Sequence, residues 1–487
     1  MTESKKRVFL TGATGNMGRA GLDALLERGD RFEVAALVLP TPNDRRIIEP
    51  YIRRGVDVIW GDLTCYEDVL AGVEGADYVL HVGGMVSPLA DAYPELTMKV
   101  NVGAAQNIVR AIKAQPDPDR IHLVYIGSVA QTGNRPVPIH WGRIGDPIKL
   151  SVFDNYALSK TIAERVVVDS GLRYWASLRQ TGIARLSAAE TLDPILFHTP
   201  LDGVLEWVTM RDSGVLLANV CEEGVPDSFW GRIYNIGGGQ PNRLTNYEFF
   251  EKMLRTIGIH NPRSVVEPNW FALRNFHGHW FSDSDELESL LHFRTQTLDE
   301  YLEDASSKLP WFMRLASAFP RIVRARFERV ARGLGGTLTW FTREDDERIT
   351  AYFVSHRTWK SIPGWEKRQF QRPEAPPVRL EHGYDEGKPR DQFSLADARG
   401  AARFRGGECL SNDMERGSWR SLLRWRCHAG HEFLASLNLI LMGGHWCPVC
   451  IADRGSYPEL ARHSPFFYQV WAPDASLLPG SLDFHRE

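Results

Sequence analysis

Through the first third of the chain, short apolar runs alternate with stretches whose apolar positions recur every three or four residues. Residues 7–10 (RVFL) form the first run, and Met17, Gly21, Leu22, Leu25 and Leu26 then fall on one helical face. Phe32–Leu39, Val56–Trp60, Tyr78–Val82 and Ile121–Ile126 repeat the short apolar signature, with helical patterns between most of them. A strand–helix alternation of this kind predicts an α/β fold built on a doubly wound parallel sheet, because parallel neighbours need a crossover and the crossover is usually a helix. Ligands of such sheets bind at the carboxyl ends of the strands. Asp62, the run His81-Val82-Gly83-Gly84 and Ser128 are therefore expected along one rim.

The first crossover reads TGATGNMG, between a predicted strand and a predicted helix. Gly12 suits the tight turn, Gly15 the approach of a pyrophosphate to the backbone, and Gly18 the packing of helix on strand. Unpaired amides at the helix start would hold the phosphates. An acid on the ribose is expected at the end of the second strand, but that strand ends Leu39-Pro40. Asp44 follows, then Arg45 and Arg46, and arginines can hold a 2′-phosphate, which favours NADP over NAD.

The segment DNYALSKTIAERVV (154–167) opens on capping residues and continues as an amphipathic helix. Tyr156 and Lys160 are four apart and so share a face. A tyrosine titrates near ~10 and a lysine near ~10.4, so neither moves protons readily alone at neutrality. An ammonium one turn away is expected to favour the phenolate and to make Tyr156 a usable acid/base. Ser128, at the end of YIGSVA, is placed to hydrogen-bond a substrate oxygen. The loop 134–153 between them is long enough to act as a lid.

These stations together resemble the extended short-chain dehydrogenase/reductases of the NAD-dependent epimerase/dehydratase superfamily. TGATGNMG, Gly61-Asp62-Leu63, HVGG, Asn101-Val102-Gly103, GSVA and YALSK occur in that family's order over roughly residues 7–300. The resemblance implies a Rossmann-type core with a small substrate lobe. Its catalytic residues would be Ser128, Tyr156 and Lys160. Its cofactor site would be Gly12, Thr14, Gly15, Asn16, Met17, Gly18, Arg45, Asp62, Leu63, His81, Gly83, Asn101, Tyr156 and Lys160. LRQTGIAR (178–185) and YNIGGG (234–239) resemble the segments that build the substrate side. Sugar 4,6-dehydratases of the family place an acidic pair after the strand-end hydroxyl. Here Val129 and Ala130 follow Ser128, which leaves hydride transfer, or epimerisation through a transient ketone.

Beyond residue 309 the pattern changes. PRIVRARFERVAR (320–332) predicts a short helix with one apolar stripe and five arginines, read as packing on the preceding domain rather than on a membrane surface. Residues 371–392 are rich in proline and charge, as in a linker. The expected organisation is 1–309 reductase, 310–370 helical and aromatic extension, 371–400 linker, and 401–487 a small terminal unit. That unit holds Cys409, Cys427, Cys447 and Cys450, four of the six cysteines of the 487-residue chain. Four thiolates suit a closed, structural zinc site. His428, His431 and His445 lie close by and leave a mixed Cys/His set open. The segment 404–452 resembles a small zinc-ribbon domain, which implies the four cysteines as ligands.

Composition adds mainly exclusions. Hydrophobic content of 43%, charged content of 24% and a net charge of −4 are ordinary for a globular protein. Residues 401–487 carry nine basic and nine acidic side chains, which argues against nucleic acid apart from a patch at Arg416, Arg420, Arg424 and Arg426. No apolar run is long enough for a membrane span, and MTESKKR lacks a signal-peptide pattern. With clustered cysteines this predicts a cytoplasmic protein with a small-molecule substrate, as a homodimer by family likeness. The competing reading is a dinucleotide-responsive interaction protein whose ribbon binds a partner or nucleic acid.

Overall fold

The computed structural model describes residues 4–185, 193–310, 318–368, 370 and 372–475. Residue 371 of the expected linker and residues 476–487 of the expected terminal unit lie outside these. Seven strands form one all-parallel sheet: β1 (Lys6–Thr11), β2 (Phe32–Val38), β3 (Asp57–Trp60), β4 (Tyr78–His81), β5 (His122–Ser128), β6 (Tyr174–Gln180) and β7 (Arg232–Ile236). Their order is β7-β6-β5-β4-β1-β2-β3. The chain thus winds outward in one direction from β1 and then in the other from β4. A crevice opens between the carboxyl ends of β1 and β4, where the two windings part.

Both faces of the sheet are covered, which is why its strands read as continuous apolar runs. On one face lie α1 (Asn16–Leu26), α2 (Pro42–Ile52) and α6 (Met210–Asn219); on the other lie α3 (Tyr66–Val73), α4 (Gly103–Lys113) and α5 (Asn155–Val168). Contact between α1 and α6 is backbone-close. A Cβ on Gly214 would sit 2.3 Å from the carbonyl oxygen of Ala20. The arginine-rich helix α7 (Pro320–Ala331) turns Phe327 and Ala331 into a cluster with Phe197, Phe250 and Trp270. Arg324 on it pairs with Glu267 at 2.8 Å.

The terminal unit is a three-stranded antiparallel sheet, β8 (Gly407–Cys409), β9 (Leu423–Cys427) and β10 (Glu432–Ala435), preceded by α8 (Leu395–Phe404). It does not hang from a tether. Trp425, Leu439, Ile440 and Leu441 belong to the same buried cluster as Val69, Ile108 and Val167, so one core runs from the large sheet into the small one. Arg405, fully buried, donates to the carbonyl oxygens of His382 and Ile440.

The 134–153 loop differs from its expected role as a lid. Trp141-Gly142 pairs with Trp280-Phe281, Asp146 bonds His382, Arg143 bonds Glu386, and the Ile148 amide donates to Gly444. The loop is tied both to the 275–283 segment and to the C-terminal third, so it is a built-in bridge. Sequence spacing alone could not supply those partners.

Beneath α5 the ion pair Glu164–Arg179 is fully buried, at 2.7 Å. Burial alone would raise the Glu164 carboxyl, but Arg179 and His445 hold it well below the usual carboxylate range. Its contribution to stability is therefore complete above the unfolded carboxylate value of ~4.3 and is lost as pH falls through the depressed folded value. Arg179→Met, which leaves the carboxylate buried without its main partner, is expected to cost about 3–5 kcal/mol in denaturant unfolding of the full chain.

Candidate functional site

The crevice is a cleft of about 700 Å³. One wall is the glycine turn, where Gly12 has φ +73° and a Cβ there would lie 2.7 Å from the backbone of Gly83. A Cβ on Gly18 would lie 2.0 Å from the Gly12 carbonyl oxygen, so the strand, the turn and α1 close on one another with no room for side chains. Thr14, Gly15, Asn16, Met17 and Gly18 line the cleft at the start of α1. First-turn amides have no intrahelical acceptor, an arrangement suited to an anion.

Asp62, Leu63 and Gly83 line the cleft. His81 stands behind it. Its Nδ1 lies 3.0 Å from the Thr11 hydroxyl, which also accepts from the Gly83 amide at 3.0 Å. Burial, and then the nearby Lys160, push the imidazole down to about 3, so it is neutral and ties the ends of β1 and β4. Asn101 is likewise a support: its side chain clamps the Met85 amide and carbonyl at 2.7 and 3.0 Å and donates to Ser159 at 2.8 Å. Arg45, expected at a 2′-phosphate, lies over the Trp60 ring at 4.2 Å. Asp44 is the residue of that segment on the cleft wall, fixed by Thr41, which caps its amide and donates to its carboxylate.

Tyr156 and Lys160 both face the cleft from α5. Asp154 caps that helix, and Asp91 accepts from the amides of Asn155 and Tyr156 at 2.8 and 3.3 Å. Ser128 ends β5; its Oγ accepts from the Ala130 amide, and it hydrogen-bonds the Tyr156 side chain. Lys160 Nζ donates to the Ile126 carbonyl at 2.9 Å and lies 6.0 Å from the Tyr156 ring centroid. The expected lowering of the tyrosine by the lysine is not what this environment produces. Burial pushes Tyr156 up to about 12, against the Ser128 hydrogen bond, and burial pulls Lys160 down to about 8.

Sequence reasoning did not single out several residues here. Met85, Val86, Leu89, Leu96 and Val100 give the cleft an apolar flank, joined by Ile183 and Gln180 of the 178–185 segment expected on the substrate side; the buried Gln180 Oε1 has no hydrogen-bond partner among the described residues. Asp91, Gln131 and Glu164 act from behind. Glu164 sits two turns after Tyr156 on the same helix, a spacing that was visible in the sequence.

Residues 8–190 match the model of the NAD dependent epimerase/dehydratase family. Among curated proteins, the chain is 29% identical over 188 residues to 3 beta-hydroxysteroid dehydrogenase type 7 of Mus musculus, covering 36% of this chain and 49% of that protein. It is 26% identical over 293 residues to 3 beta-hydroxysteroid dehydrogenase/Delta 5-->4-isomerase of Mycobacterium tuberculosis, covering 55% of this chain and 73% of that one. The chain thus spans about half the length of the mouse relative. Among solved structures, dTDP-glucose 4,6-dehydratase of Bacillus anthracis in complex with NAD superposes with a TM-score of 0.49 at 14% identity, over 62% of this chain and 96% of that one.

A second cluster lies in the terminal unit. Cys427, His431, Cys447 and Cys450 bring their ligand atoms within 4.8 Å of one another. His431 Nδ1 is 3.4 Å from Cys427 Sγ, 3.6 Å from Cys447 Sγ and 3.4 Å from Cys450 Sγ, while Cys427 and Cys450 are 3.7 Å apart. Tetrahedral zinc with Zn–S ~2.3 Å and Zn–N ~2.0–2.1 Å requires S···S of about 3.8 Å and S···N of about 3.6 Å. The four residues fit that ion. Cys409, expected as a ligand, is not in the set. It ends β8 opposite Trp425, where burial raises its thiol. His431 takes its place because the tight turn at Gly430 (φ +80°) folds the β9–β10 connection back onto Cys427. Of the arginine patch, Arg426 is bonded to Glu408 and Arg420 to the Arg173 carbonyl.

Metal content separates the two ligand sets. Cys409→Ser is expected to leave about one zinc per chain by atomic emission, whereas His431→Ala and Cys450→Ser are expected to lose it.

Proposed function

We propose that the protein is an NAD(P)-dependent oxidoreductase that moves a hydride between nicotinamide and an apolar carbonyl or secondary alcohol. The observation that carries this reading is the opening of the glycine turn, Tyr156 and Lys160 onto one cleft, with Ser128 bonded to Tyr156 behind it. The bound nicotinamide would supply or take the hydride. In the reducing direction the Tyr156 hydroxyl donates its proton to the oxygen of the substrate as the carbonyl carbon becomes tetrahedral. Ser128 holds the same oxygen and the tyrosine together, and Lys160 stands one turn further along the same cleft wall. The same groups would serve an epimerase passing through a transient ketone.

Three observations support the details. Val86, Leu89 and Leu96 remain 58, 54 and 49% exposed at the cleft mouth, which suits an apolar substrate more than a nucleotide sugar. The curated relatives named as hydroxysteroid dehydrogenases point the same way. Asp44 on the wall, with Arg45 turned onto Trp60, favours a ribose bearing free hydroxyls and hence NAD. A zinc ion at Cys427, His431, Cys447 and Cys450 would be structural, since four protein ligands leave no open position.

Titration of NADH and NADPH against the zinc-replete protein is expected to give tighter NADH binding; no binding of either would remove the reading. Tyr156→Phe is expected to retain NADH affinity and lower turnover of a 3-oxosteroid by roughly 10²–10⁴-fold. Unchanged turnover would sink the proposed proton transfer.

A further inference from the structure

The oxidoreductase reading gives the terminal unit no task in the reaction, yet that unit grips the catalytic helix along its whole length. At the first turn of α5, Arg454 donates to the Asp154 carbonyl and to the Asn155 side chain, both at 3.1 Å. Two turns on, Arg165 donates to the Trp446 carbonyl at 3.1 Å. Just past the last turn, the Ser436 amide donates to Asp169 at 3.3 Å. Between these anchors, His445 reaches through to Glu164, its Nε2 lying 2.8 Å from Oε2. His445 is 2% exposed and Glu164 is fully buried.

Glu164 leads directly to the reacting groups. Its carboxylate also accepts from Gln131 Nε2 at 2.8 Å, from Ser177 at 2.6 Å, and from Arg179 at 3.2 and 2.7 Å. Gln131 Oε1 in turn accepts the backbone amide of Ser128 at 2.8 Å. A carboxylate offers about four lone-pair sites, so with five donor contacts each donor's direction is set by the others. Without His445 one side of Oε2 would be free, and Gln131 could shift and carry the Ser128 turn with it.

We propose that His445 is a positioning residue of the catalytic site: through Glu164 and Gln131 it sets the Ser128 turn, so the terminal unit is a working part of the reductase. This rests on the oxidoreductase reading. Its zinc-ligand neighbour Cys447, two residues on, fixes where the His445 loop can stand. A misplacement of about 1 Å at a catalytic group can cost roughly 10²-fold in rate, which sets the size of effect to look for.

The experiment compares His445→Ala, His445→Gln and Gln131→Leu with the parent in the full chain. It reads NADH affinity, kcat and KM for a 3-oxosteroid probe, and hydrogen exchange of segments 127–132 and 155–168. His445→Ala should speed exchange in 127–132 and lower kcat by about 10–100-fold, with NADH affinity within about twofold. His445→Gln, which keeps a donor of similar reach, should restore kcat to within about threefold. Gln131→Leu should reproduce the kcat loss while exchange in 407–470 stays at the parent level. The proposal is overturned if His445→Ala leaves kcat and the 127–132 exchange unchanged. It is equally overturned if the loss is not rescued by glutamine and comes with faster exchange throughout 407–470. Failure of the parent to bind NADH would instead sink the oxidoreductase reading, and the exchange arm would still decide whether His445 controls the Ser128 turn.

Discussion

A carboxylate held away from water must be met by donors on every side, and Glu164 draws its donors from three separate stretches of chain. Gln131 comes from the turn after β5, Ser177 and Arg179 from β6, and His445 from beyond the small sheet. Desolvating such a charge costs several kcal/mol unless its partners are all in place. The position of each partner is therefore set by the others. Strand β6, helix α5, the Ser128 turn and the 443–446 loop form one arrangement that is correct only as a whole.

The same logic explains why the 134–153 segment is ordered. A long connection passing beside α5 carries many backbone groups that need partners. Here the Ile148 amide finds the Gly444 carbonyl and the Leu150 amide the Tyr457 hydroxyl, about three hundred positions later, while the Arg143 and Asp146 side chains pair with Glu386 and His382. The C-terminal third is what turns an irregular loop into a wall of the core.

Much of the first third was legible because its signals are local. Apolar runs, glycines with steric reasons for being glycines, and a Tyr-Lys pair at one-turn spacing are all written within a few residues. Five strands, the glycine turn and the shared face of Tyr156 and Lys160 follow from them. What the sequence hid depends on distant partners. Cys409 and His431 are both near the other ligands along the chain, but strand pairing takes the first into the core and a glycine turn brings the second to the cluster. The opposed shifts of Tyr156 and Lys160 depend on burial, which spacing does not encode. His445 looked like a spare zinc ligand, and only the packed structure shows it facing Glu164.

The continuous core has a consequence for biosynthesis. Helix α5 and strand β7 are covered partly by the 438–442 segment, with Leu439, Ile440 and Leu441 buried in the shared core, and this segment is translated long after the sheet it shields. At about 5–20 residues per second, roughly 15–50 s separate the synthesis of β6 from that of its cover. During that interval the nascent N-terminal unit presents a bare apolar flank and a buried-type carboxylate with one donor still missing. A chain built this way completes the surroundings of α5 only after its last strands have emerged.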